Sequence, residues 1–322
     1  MGDNKIKCKY CKNKNVVKKG FKKNKLQVIQ KYQCKNCKKY FTLQSSLHIT
    51  YPISLIIKAI SLYNLGYSLK QVSDKISKKQ YQENEAKIQN TKIVKINPST
   101  IASWINKYKN IITYIKLRKQ LKKTYKPSNI IFKKTLQHKQ VYPFRYHKAK
   151  INTIQNLNKE LEQRTIEKLK NYLKKISTDK FPHHIFNESL RDKNVKQLEQ
   201  RSSKLKFKIL PFIKLEKNNY ANKLAELALK IPYKNSQRHE IIQNFMLIND
   251  TSTIATEIPV YLTNDDIKYF LNRGFSLQLE NQRTPITGHI DILQIRNNII
   301  HILDYKPDAQ KINPINQLTL YS

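Results

Sequence analysis

The sequence predicts a multidomain α+β chain. It reads as a zinc ribbon over residues 1–45, a helical unit over 50–112, a basic, mostly helical connector over 113–219, and an α/β core with a mixed sheet over 220–322. Three observations predict this order. All 4 Cys fall in the first 37 residues as two Cys-x-x-Cys pairs. Apolar residues at helical spacing follow them, and "GHIDILQIRNNIIHILDYKP" near the other end reads as two strands joined by a turn.

The length of 322 residues allows several domains and at least one sizeable core. Apolar runs such as "ISLIIKAI" fall far short of the ~18 residues of a membrane span, so a cytoplasmic protein without a membrane partner is expected. The net charge is +40, and abundant Lys, Asn, Ile and Tyr with only 5 Gly also match the codon usage of an AT-rich genome. The charge is uneven: residues 1–60 carry 15 Lys against Asp3 alone, whereas 235–322 carry 7 Lys plus Arg against 9 acids. A basic front favours nucleic acid through counterion release, the alternative being a solvated lysine coat.

In the ribbon, Cys8 and Cys11 are separated from Cys34 and Cys37 by 22 residues. Each pair puts two thiolates on one tight knuckle, and two knuckles close a tetrahedral zinc shell with a structural role. Disulfides are the alternative. The intervening "NVVKKGFKKNKLQVIQKYQC" reads as a hairpin with Gly20 near its turn. Beyond it, Ile53, Ile56, Ile57, Ile60 and Leu62 have helical spacing, Gly66 interrupts, and Leu69, Val72 and Ile76 mark a second short helix. After a polar stretch, Asn97 reads as an N-cap and Pro98 as the first residue of a third helix carrying Ile101, Trp104, Ile105 and Tyr108.

Two knuckles, "KKYFT", the helix pair around "LGYSLKQVSDKIS" and then "STIASWINKY" resemble the zinc-ribbon and helix-turn-helix N-terminus of insertion-sequence transposases over about residues 5–110. The resemblance implies DNA as partner, a mobile element as setting and a homodimer as an option. It turns Ser99, Thr100, Ser103 and Lys107 toward a groove, with Trp104 in the helical core. The polar insertion at 77–97 departs from the pattern.

The middle alternates basic helical patterns with loops at Pro127, Pro143, Pro182 and Pro211. His183, His184, His48, His138 and His147 have no acid or Cys at ligand spacing and read as surface-loop histidines.

In the C-terminal hairpin, Asn297 and Asn298 suit a two-residue turn because Asn tolerates positive φ. Arg296 then faces Ile299, Ile295 faces Ile300, and the register runs back until Asp291 faces Asp304. Facing Cβ atoms lie roughly 4.5–5.5 Å apart, which like charges disfavour unless a cation joins them. Mg²⁺ or Mn²⁺ suits such hard oxygens, and Lys306, two residues on, shares the face of Asp304. The alternative is a pair of solvated strand caps.

"GHID", 12 intervening residues, "DYK" and "QLTLY" together resemble the PD-(D/E)XK nuclease superfamily, RecB-like branch, over about residues 220–322. The resemblance implies a restriction-endonuclease-like core. Asp291 and Asp304 would bind Mg²⁺ or Mn²⁺, Lys306 would serve the water, and Gln317 and Tyr321 would line the site or contact DNA. It also implies His239 as a metal-shell residue and Glu257 as an outer acid. No Cys follows Cys37, which excludes the iron–sulfur cluster of some relatives, and the stop at Ser322 suggests a truncated C-terminus. The expected function is a metal-dependent deoxyribonuclease. The alternatives are a non-catalytic DNA-binding protein of a mobile element and a three-carboxylate transposase, the last fitting the close Asp291–Asp304 spacing poorly.

Overall fold

A computed structural model describes residues 6–24, 27–42, 51–85, 95–120, 124–138, 140–157, 159–176, 200–204, 217–231, 235–274, 286–307 and 314–321. His48, His183 and His184 lie outside them. The chain divides into two compact units, Met1–Ile60 with Ser68–Trp104, and Ser61–Tyr67 with Ile105–Ser322. Among the described residues no helix is long and apolar enough to cross a membrane.

In the first unit, β1 (Val16–Asn24), β2 (Gln27–Cys34) and β3 (Tyr40–Thr42) form an antiparallel sheet. Tyr32 and Phe41, cross-strand partners stacked at 5.8 Å, make its core with Cys8 and Cys34. Gly20 is not at the hairpin turn. The β1–β2 register slips between Lys18 and Phe21, and Gly20 occupies that bulge at φ +69°, where a side chain would be strained.

The helices follow their sequence signals: α1 (Ile53–Asn64), α2 (Leu69–Glu85) and α3 (Pro98–Tyr108). Gly66 at φ +110° separates the first two, and Asn97 Oδ1 accepts from the Ser99 N–H at 3.0 Å as an N-cap. At 17 residues α2 is longer than the short helix expected. Trp104 is buried with its ring against the edge of Tyr51 at 5.0 Å, a core position.

The second unit is built on a six-stranded sheet. Its strands are β4 (Ile131–His138), β5 (Gln140–His147), β6 (Gln200–Arg201), β7 (Thr253–Leu262), β8 (Ile286–Arg296) and β9 (Ile299–Leu303). The order is β4-β5-β7-β8-β6, with β9 also on β8; β6 runs parallel to β8 and the other pairs are antiparallel, so the sheet is mixed. The expected connector is therefore only partly helical. It supplies α4 (Tyr114–Gln120), α5 (Lys148–Leu157) and α6 (Gln163–Lys175), but also the strands β4, β5 and β6 of the sheet. Lysines such as Lys133 and Lys134 mask a β-forming series, Ile131, Phe132, Val141, Tyr142, Phe144 and Tyr146.

The remaining helices are α7 (Tyr220–Ala228), α8 (Arg238–Asn249), α9 (Asn264–Asn272) and α10 (Ile315–Tyr321). The end of α8 is locked to β7 by the buried Lys150, whose Nζ donates to the carbonyls of Leu247, Asp250 and Thr253. Burial pulls this ammonium down to about 7, with Asp250 resisting. His147 is no surface histidine: it is fully buried at the end of β5, with Tyr114 edge-on at 4.9 Å, and burial keeps it neutral.

Candidate metal centre and acidic cleft

The four Sγ atoms of Cys8, Cys11, Cys34 and Cys37 lie within 4.8 Å of one another, with Cys8–Cys37 at 3.6 Å and Cys11–Cys34 at 3.5 Å. These separations exceed the ~2.05 Å of a disulfide. They approach the roughly 3.8 Å edge of a tetrahedron with Zn–S bonds of ~2.3 Å. Burial works against ionisation of Cys8, yet the N–H groups of Cys11 and Tyr10 pull it down to about 6. Cys37, despite the Lys39 N–H, is pushed up to about 11 by burial and the other sulfurs. Four sulfurs converging from two tight turns can hold a metal ion such as zinc.

The second candidate site lies on the six-stranded sheet. Asn297 and Asn298 take φ +51° and +62°, the two-residue turn expected, and the register pairs Arg296 with Ile299 through Ile292 with Leu303. The next step brings Asp304, just past the end of β9, opposite Asp291. On the other flank, Thr256 pairs with Ile292 and Ile258 with Ile290, so Glu257 also stands opposite Asp291. Glu257, expected as an outer acid, thus stands in a row with Asp291 and Asp304 that crosses β7, β8 and the end of β9. It is 8% exposed and has φ +51°, a left-handed conformation that costs a non-glycine residue about 1–3 kcal/mol.

These acids line a cleft of about 510 Å³ together with His239, Lys306, Gln317 and Tyr321. His239, from the first turn of α8, brings Nδ1 to 3.5 Å from Asp291 Oδ2, which also accepts from the Tyr305 N–H at 3.0 Å. Lys306 Nζ is 2.7 Å from Asp304 Oδ2. Gln243 Nε2 donates to Glu257 Oε1 at 2.6 Å.

The electrostatics follow this packing. Burial and the Asp291 charge push Glu257 up to about 7 despite Gln243. Asp304 is raised by burial and Asp291, against Lys306. Asp291 itself, although buried, is held below the usual carboxylate range by His239 and the Tyr305 N–H. The same contact raises His239.

Gln317 and Tyr321 reach the cleft but meet each other first, Gln317 Nε2 donating to the Tyr321 hydroxyl at 3.0 Å. That hydroxyl also shares a hydrogen bond with Ser202 Oγ at 2.6 Å and accepts from the His289 N–H at 3.1 Å. Strand β8 pairs with β6 at Ile286–Thr287 and with β9 from Ile292, and Tyr321 meets its edge between these partners. Gly288 is needed there, because a Cβ would stand 2.1 Å from the Tyr321 hydroxyl.

The residues expected to face a groove lie on α3, where Ser99, Ser103 and Lys107 are exposed and Thr100 half-buried. Sequence reasoning missed Gln243, Ser202 and the buried Arg145, which pairs with Glu240 at 2.5 Å beside the cleft. Gln243 had a readable signal, since it lies four residues after His239 and so on the same helical face.

Compared with known proteins, no family model matches the chain, and no curated protein or solved structure does.

Proposed function

We propose that the chain is a metal-dependent deoxyribonuclease of the PD-(D/E)XK type, close to the RecB-like branch, brought to DNA by its zinc ribbon and helix-turn-helix in a mobile-element or DNA-processing setting. The observation that supports it is the row Glu257–Asp291–Asp304, with Lys306 on Asp304 and His239 on Asp291, in one cleft. Packed carboxylates, of which Glu257 is pushed up to about 7 by burial and the Asp291 charge, fit a hard divalent cation. Asp291 and Asp304 would hold Mg²⁺ or Mn²⁺, with Glu257 and His239 completing or orienting the shell. Such an ion polarises a phosphodiester and acidifies a bound water. Lys306, held 2.7 Å from Asp304, would orient the attacking water and offset charge on a phosphoryl oxygen. Tyr321 and Gln317 fix α10 over Gly288 at the cleft wall.

The test is cleavage of labelled linear and circular DNA by the purified chain with Mg²⁺ or Mn²⁺. Cutting that disappears in both Asp304→Ala and Lys306→Ala is expected, and the circular substrate reports whether free ends are needed. A second reading, a DNA-binding protein without chemistry, draws on the Lys306–Asp304 ion pair, which already neutralises one acid. Salt-sensitive binding with no cutting by any form would favour it.

A further inference from the structure

The ribbon exposes most of its aromatic rings. Five aromatic residues occur between Ile6 and Thr42, namely Tyr10, Phe21, Tyr32, Tyr40 and Phe41, and only Tyr32 and Phe41 enter its core. Tyr10 is 51% exposed, Phe21 65% and Tyr40 48%. A domain this small has little apolar surface to bury, and aromatic rings are its largest contribution to a core. Leaving three of five in solvent therefore forgoes stability.

Cations lie over one face of two of these rings, leaving the opposite face of each for a partner. Lys31 Nζ lies 4.3 Å from the centroid of Tyr40, and Lys39 Nζ lies 5.1 Å from that of Tyr10. Lys31 pairs with Thr42, two residues from Tyr40 across the β2–β3 ladder, so ring and ammonium share one face of the sheet. The segment from Ile6 to Thr42 contains no Asp or Glu, so these ammonium groups have no carboxylate partner within that segment.

A ring with a neighbouring ammonium suits a partner that offers a flat π-face and an anion about one residue apart. An unpaired nucleotide offers both. An acidic peptide supplies the charge without the regular π-faces, and a duplex supplies phosphates while its bases remain stacked on each other except at its ends. The geometry points to the ribbon as a binding site for unpaired nucleotides, with Tyr10 and Tyr40 as stacking platforms and Lys39 and Lys31 as the adjoining phosphate contacts. The ribbon thereby contributes a preference for single-stranded segments, while α3 presents its polar face to duplex. This inference rests on the nucleic-acid reading of the front end and is independent of the chemistry of the cleft.

The experiment is fluorescence anisotropy with labelled oligothymidylate and with a blunt duplex of equal length. It uses the zinc-loaded full chain in an Asp304→Ala background so that no substrate is cut. Tyr10→Ala and Tyr40→Ala should each weaken oligothymidylate binding about tenfold and leave duplex binding unchanged. Tyr40→Phe, which keeps the ring, should bind as the parent does, and an unchanged zinc content shows that the ribbon is folded in every variant. Equal losses on both substrates, or undiminished oligothymidylate binding with zinc retained, overturn the inference. If the parent binds neither nucleic acid, the front-end reading fails and this inference with it, whereas duplex binding alone removes only the inference.

Discussion

In the ribbon, four sulfurs converge within 4.8 Å of one another from two short knuckles. In the cleft, three acids arrive from β7, β8 and the end of β9, and each meets a protein partner: Gln243 at Glu257, His239 at Asp291 and Lys306 at Asp304. The first arrangement leaves like groups facing each other around a point, so a bound metal would itself supply the cohesion. The second is held by a sheet and a helix whose cohesion comes from burial and backbone pairing. A soft-ligand centre of the first kind would be needed to fold its module, whereas carboxylates held as in the second are already positioned by the scaffold, so an ion proposed there would add chemistry and not cohesion.

The largest expected effect breaks this comparison on the ribbon side. Structural zinc contributes an apparent ~10–16 kcal/mol in small zinc modules, so chelation or Cys34→Ser should unfold the ribbon outright. Hydrogen exchange on the full chain should show β1–β3 losing protection while β7 and β8 keep it. Equal loss in both sheets would mean that the two units are not energetically separate.

A smaller effect sharpens the cleft side. Glu257 is raised from 4.5 to about 7, so the folded state holds more protons than the unfolded state over that interval. Stability therefore falls as pH rises through it, and the full penalty, on the order of 3 kcal/mol, is present above about pH 7. Glu257→Gln should stabilise the chain by up to roughly that amount near pH 8 and hardly at all near pH 4. Urea unfolding at both pH values checks this, and a pH-independent difference would show that burial and the Asp291 charge do not raise Glu257 in the folded chain. Smaller again, Gly288→Ala should cost about 1–3 kcal/mol by forcing Tyr321 and Ser202 away from β8. The same unfolding measurement reads it, and an unchanged midpoint would mean that α10 is not anchored there.

Much of both sites was legible because the signals were local. Cys spacing gave the thiolate group, and Asn297-Asn298 gave a register that brings Asp291 opposite Asp304. Asn97 and Pro98 gave the start of α3. What escaped was set by pairings between distant segments. Glu257 joins the row only because β7 lies against β8 in one register, and nothing near Glu257 in sequence specifies that partner. Strands β4 and β5 were hidden by lysines on a sheet where only alternate residues need be apolar. Ser202 and His147 owe their positions to contacts with residues 119 and 33 positions away, Tyr321 and Tyr114. The Gly20 bulge was misplaced because glycine marks a bulge and a turn equally well.

The claim that most needs a direct test is that the cleft, and not only the ribbon, is a metal site. Mn²⁺ can be titrated into the zinc-loaded full chain, with free and bound ion followed by electron paramagnetic resonance, beside Asp291→Asn and Asp304→Asn. The account predicts a bound Mn²⁺ population in the parent that both variants lose while their zinc content stays the same. Identical Mn²⁺ binding in all three proteins, or none in the parent, would contradict it.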